Sequence, residues 1–274
     1  MSRPIRPLTS LLLVEERLLE ADYFVRLMRR RRDVGFGYCL NAFLSASRSV
    51  TFLIQKEMAR VPAFKTWWSE QQQKMSRDEG MRFFLELRNY SQKEGRISLV
   101  GVRCGAGSCS RWSHRFAGTD NRVPAVLLHR DVVDCCVEHI AKLAKVVLDC
   151  TERFPFHTCP RMALSRKGVR KLGLSIQDLA GALGFDTRWA DAAAGIPLEQ
   201  QLRVLQDHVD GLDTMKLKQL ARRRQGSRNK SHEADPFGEE LCRAIVDQLE
   251  DKRTVSAPNV AGELLLRSWT GSRR

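Results

Sequence analysis

No stretch of the chain approaches the roughly 20 consecutive apolar residues that a membrane-spanning helix requires. The early run LLLV is followed at once by Glu15 and Glu16, too soon for a secretory leader. These absences predict a cytoplasmic protein with no membrane partner. The sequence also contains no Walker-type phosphate loop, no Gly-x-Ser-x-Gly elbow and no pair of carboxylates at a useful catalytic spacing. Gly101, Gly105 and Gly107 are too irregularly placed for a dinucleotide fingerprint, so no cofactor is expected. Internal repeats are absent as well.

Acidic residues are in deficit. Lys and Arg number 46 against 32 Asp and Glu, a formal charge of +14, which favours polyanionic partners: RNA, DNA or an acidic protein surface. The 274 residues, 43% of them hydrophobic, can fill one large core or two modest ones. Eight cysteines are scattered through the chain and include the adjacent Cys135 and Cys136, a distribution that predicts reduced thiols rather than a disulfide framework. Cys104, Cys109 and His114 form a Cys-x4-Cys-x4-His series that matches none of the common zinc spacings. Cys135 and His139 share a helix face, with His157 and Cys159 beyond it, but buried cysteine on a core helix is ordinary. No metal is expected.

Hydrophobic periodicity predicts a mainly α protein. A first helix over residues 8–32 ends in the basic run 29-RRRR-32. A second, from Tyr38 to Arg60, turns Phe43, Ala46, Val50, Leu53, Ile54 and Met58 inward and Asn41, Ser45, Arg48 and Gln55 outward. A short helix near 63–74 leads to a fourth, Asp78 to Glu94, stopped at Gly95. The period then changes, and residues 97–117 predict a β-hairpin around 104-CGAGSC-109. A long core-facing helix over 131–154 closes at Pro155.

The sequence therefore divides into a bundle with an inserted hairpin (1–160), a smaller helical domain (161–222), and a basic linker, helix and tail (223–274). Ser175 before Asp178 predicts a helix cap. Residues 175–195 start like a helix-turn-helix, although the Ala-rich continuation offers little beyond Arg188 to read base edges. Residues 216–230 carry seven Lys or Arg and no acid, which predicts a solvated basic arm.

The candidate site lies in 83-FFLELRNYSQKEG-95. Arg88 falls between Phe84 and Leu85 on the apolar stripe of its helix, while Asn89 and Lys93 lie on the polar side. An arginine so placed must snorkel outward or find acceptors. A helical bundle whose late helix ends in Arg-Asn and, four residues after the Asn, a polar residue resembles the HEPN superfamily, over about residues 11–153. The resemblance implies metal-independent RNA cleavage in a cleft built by two copies, with Arg near the phosphate and His transferring protons. By position, Arg88 and Asn89 match, and Lys93 stands where the family carries His. A lysine ammonium can hold a phosphate but is a poor general base at neutral pH.

The leading expectation is thus an RNA-associated or regulatory module on a degenerate HEPN-like bundle, homodimeric by resemblance and of the kind found in bacterial stress or defence systems. Arg48 with Arg222, Arg223, Arg224, Arg228 and Lys230 would contact nucleic acid. Rival readings are an active metal-independent ribonuclease or toxin using Arg88, Asn89 and Lys93, a DNA-binding regulator using 175–195 with the basic arm, and a purely structural partner in which Arg88 only anchors a helix end.

Overall fold

In the computed structural model, which describes residues 8–104, 111–117, 123–128, 130–186, 188–189, 193 and 195–223, the protein is mainly helical. Among the described residues there is one sheet, of two strands. Leu11, Val14, Leu18, Ala21, Val25 and Met28 recur every three or four residues and are all buried, which commits α1 (Leu12–Met28) to a single inward stripe. The helix is shorter than the 8–32 expected. Arg29 to Arg32 form the turn out of it, and Asp33 caps the next helix by accepting the Gly35 N–H at 3.1 Å.

The second helix, α2 (Val34–Met58), packs against α1 and buries Phe36, Leu40, Phe43, Val50, Ile54 and Met58. Ala63, at φ 62°, then takes a left-handed conformation and redirects the chain into α3 (Phe64–Arg77). Asp78 ends α3 and begins α4 (Glu79–Lys93). Its carboxylate accepts the Met81 N–H at 2.9 Å and pairs with Lys142 at 2.7 Å.

Strands β1 (Leu99–Cys104) and β2 (Arg111–Phe116) pair as the hairpin. Gly101 is required there, because a Cβ would sit 2.3 Å from the Trp112 indole. Phe116 reaches the bundle core against Phe83, ring centroids 5.0 Å apart, and His114 stacks on Phe36 at 3.8 Å. Nearly all described residues, through Gly101 and from Trp112 onward, form one compact unit, while Val102–Cys104 and Arg111 group separately.

After α5 (Ala125–Leu128) comes α6 (Val132–Arg153), the central helix of the bundle. Asp131 caps it, accepting the Val133 N–H at 2.7 Å, and also accepts the Ser113 hydroxyl at 2.7 Å, which pins the hairpin to the helix start. Cys135, Cys136 and Cys150 are buried along it as small hydrophobes. Burial pushes the Cys135 and Cys150 thiols up to about 12, so they stay protonated and poorly nucleophilic.

Short helices α7 (Pro155–Thr158), α8 (Pro160–Ala163), α9 (Arg166–Leu172), α10 (Ile176–Ala182) and α11 (Leu198–Asp207) follow. Leu164, Leu179, Ala180, Leu202 and Leu205 make a second core cluster among them. The expected cap is present as a reciprocal box: Ser175 Oγ accepts the Asp178 N–H at 3.1 Å, and Asp178 accepts the Ser175 N–H at 2.8 Å. The Ala-rich stretch after it lies largely outside the described residues.

The last helix described, α12 (Thr214–Arg222), corrects the expectation of a solvated arm from residue 216. Leu217 and Leu220, three apart on one face, are buried in the bundle core, so only the other face of this basic run meets water. Two buried carboxylates of α1 hold its ends: Glu15 accepts the Asp213 N–H at 3.1 Å, and Asp22 pairs with Arg223. Arg224, Arg228 and Lys230, and the helix expected near 236–252, lie outside the described residues.

His139 of α6 sits in the core, stacked on Phe84 with centroids 4.4 Å apart. Burial, and then the nearby Lys142 charge, lowers its pKa from 6.5 to about 3. The unfolded chain takes up this proton below about 6.5 while the folded protein refuses it. Stability is therefore fully present above that pH and falls as pH drops, at up to about 1.4 kcal/mol per unit from this group. Glu138, held down to about 2 by Lys142 and Arg130 despite its burial, adds a further loss below the ordinary carboxylate range. Urea titrations at pH 7, 6 and 5 should show this decline, and His139→Phe, which keeps the stacking, should flatten it.

Candidate functional site

Arg48 and Arg88 approach one another from α2 and α4, two helices packed side by side. Partial burial lowers the Arg48 pKa, and the Arg88 charge lowers it further, so the two guanidiniums are close enough to repel. Arg48 donates to the Thr51 hydroxyl at 2.7 Å. Arg88 reaches only Asn89 Oδ1, at 3.4 Å, and its Nε is buried without an acceptor. Among the described residues no carboxylate pairs with either arginine. A buried N–H left without an acceptor carries a penalty of about 1–3 kcal/mol, and the mutual repulsion of two like charges adds to it. An anion carrying several acceptor oxygens would relieve both.

The local sequence explains the placement. On α4, Phe83, Phe84 and Leu87 are buried, Leu85 is exposed, and Arg88 is half-buried at the edge between them. Its stem packs while its head reaches the boundary. Asn89 and Lys93 are exposed as expected. Lys93 is the last residue of α4 and lies about 140° round the helix from Arg88, so it does not join the Arg48–Arg88 pair. Arg222 is exposed on α12, and Arg223 is engaged by Asp22.

Asn41, Ser45 and Gln55 share the exposed face of α2 with Arg48. Thr51, which orients Arg48, was not singled out by sequence, since a threonine in an apolar run reads as core. Two exposed aromatics on this helix, Tyr38 and Phe52, were also passed over. Their signal was a wheel position shared with the polar stripe.

No group of three or more His, Cys, Asp or Glu among the described residues is placed to hold a metal ion. No helix among them is long and apolar enough to cross a membrane. A surface recess of about 370 Å³ between α3 and α6 is lined by Trp67, Gln71, Lys74, Asp149, Glu152 and Arg153. Its mixed charges distinguish it from the uniformly positive Arg48–Arg88 pair.

The family model for bacteriophage lambda protein ea47 matches residues 20–132, less than half of the chain. The matched span runs from within α1 to the start of α6 and contains Arg48, Arg88, Asn89 and Lys93. No curated protein and no solved structure matches the chain.

Arg88→Met keeps a packed stem while removing the charge and the unpaired N–H. Thermal unfolding should show stability unchanged or raised, by up to about 1 kcal/mol. A clear fall in the midpoint would mean that Arg88 anchors the helix end.

Proposed function

We propose that the protein is an RNA-associated binding module whose phosphate contact is the Arg48–Arg88 pair. The observation that carries this reading is two arginines on neighbouring helices, near enough for the charge of Arg88 to act on Arg48, with no carboxylate ion-paired to either among the described residues. Two arginines that join helices here are neutralised: Arg130 pairs with Glu138 at 2.6 Å, and Arg223 pairs with Asp22. Arg48 and Arg88 depart from that pattern, and planar guanidiniums match phosphate oxygens well. The formal charge of +14 supports the same partner class.

A degenerate HEPN-like cleft fits this reading, with binding retained and proton transfer lost. Lys93 is exposed and about 140° round α4 from Arg88, and His139 is enclosed between Phe43 and Phe84, neutral at pH 7. Neither is poised to move a proton at a phosphate held by Arg48 and Arg88. We expect no metal-independent cleavage of single-stranded RNA.

Binding to RNA should weaken as salt rises, because each phosphate contact releases condensed counterions. Arg48→Ala and Arg88→Ala should each lower affinity and reduce the slope of log K against log salt by about 0.7. Fluorescence anisotropy between 50 and 300 mM salt, about one decade of affinity for every few contacts, checks this. Unchanged slopes in both variants would contradict the proposal.

A further inference from the structure

The outward face of α2 carries more than charge. Tyr38 is 62% exposed and Phe52 is 59% exposed, and neither ring stacks on another ring among the described residues. At about 100° per residue, Tyr38, Asn41, Ser45, Arg48, Phe52 and Gln55 fall within a stripe about 100° wide. The only acid of α2, Glu57, lies outside that stripe. Phe52 stands one turn beyond Arg48, about 6 Å along the axis, and Tyr38 about 15 Å before it.

We propose that this face binds single-stranded nucleic acid, with Arg48 and Arg88 on a phosphate and Phe52 and Tyr38 stacking on unpaired bases. The proposal rests on the phosphate-binding reading above and narrows it. Phosphate alone would leave two large exposed aromatics unexplained, whereas unpaired bases supply flat apolar faces within reach of the backbone that the arginines hold. A duplex keeps its bases stacked on each other and unavailable to side chains on a helix flank. A second copy of this chain is disfavoured as occupant, because a two-fold interface centred here would bring the Arg48–Arg88 pairs of both copies together, and the stripe itself carries no acid to meet them. The exposed Asn41, Ser45 and Gln55 between the rings can hydrogen-bond to sugars or base edges.

The test compares three labelled probes of equal length with the full chain: a single-stranded oligouridylate, the same backbone without bases, and a duplex. The expected order is oligouridylate tightest, with the abasic strand at least about fivefold weaker and Phe52→Ser and Tyr38→Ser each weakening the oligouridylate by roughly 5- to 100-fold, as loss of a stacked base does. Neither aromatic variant should change the abasic affinity or the salt slope. Both side chains are exposed, so both variants should unfold at the same temperature as the natural protein. If abasic strand and oligouridylate bind equally and Arg88→Ala weakens both, the phosphate site stands and the stacking proposal is overturned. A preference for duplex overturns the stacking proposal in the same way. If none of the probes binds at low salt, the phosphate-binding reading fails with it. Self-association abolished by Phe52→Ser would assign the face to a second copy and overturn the proposal.

Discussion

The bundle turns on Asp78. This carboxylate ends α3, caps α4 through the Met81 N–H, and pairs with Lys142 of α6, which pairs in turn with Glu138 at 2.9 Å. One side chain therefore sets both where α4 starts and which way it faces relative to the central helix. Arg88 follows ten residues later, about 15 Å along α4, and its approach to Arg48 is inherited from that start. The stacking of Phe84 on His139, between Asp78 and Arg88, is a second contact of α4 with α6 in the same rotation. Changing the cap would be felt at the candidate site before it was felt in the fold as a whole.

The distribution of acids explains why the site carries unbalanced charge. Glu15 and Asp22 are buried against α12, and Asp78 and Glu138 are taken up by Lys142 and Arg130. Burial is the largest influence on Glu15 and raises its pKa, while the Asp213 N–H it accepts works in the opposite direction. These four carboxylates join helices. The outer face of α2 carries none of them, so the Arg48 charge has no carboxylate partner there among the described residues.

Much of this was legible in the sequence, and the gaps have physical causes. The periodic runs announced α1, α2, α4 and α6, the switch to alternating residues announced the hairpin, and Ser175 with Asp178 announced a cap that is present. The wheel places Arg88 on the apolar stripe with Asn89 and Lys93 outside it; because Leu85 is exposed, Arg88 sits at the edge of that stripe instead, half-buried. What the sequence could not give is pairing across distance. Nothing local to Arg48 signals that Arg88 is its neighbour, and nothing in 213–223 signals Glu15 and Asp22 about 200 positions earlier, as the Arg223–Asp22 separation of 201 shows. The basic run at 216–230 reads as a solvated arm because Leu217 and Leu220, three apart, are too few to dominate a stretch so rich in lysine and arginine. Phe52 is misleading for the opposite reason: an aromatic in an apolar helix reads as core until its neighbours are placed.

The central claim is that Arg48 and Arg88 together form an anion site. The most direct measurement is the side-chain nitrogen–proton NMR spectrum of the arginines during titration with a short single-stranded RNA at low salt. The account predicts that the Arg48 and Arg88 Nε–H signals shift together, along one saturating curve with a common dissociation constant, and that Arg88→Met abolishes the Arg48 shift. Arginine signals elsewhere moving while those of Arg48 and Arg88 stay in place would contradict it.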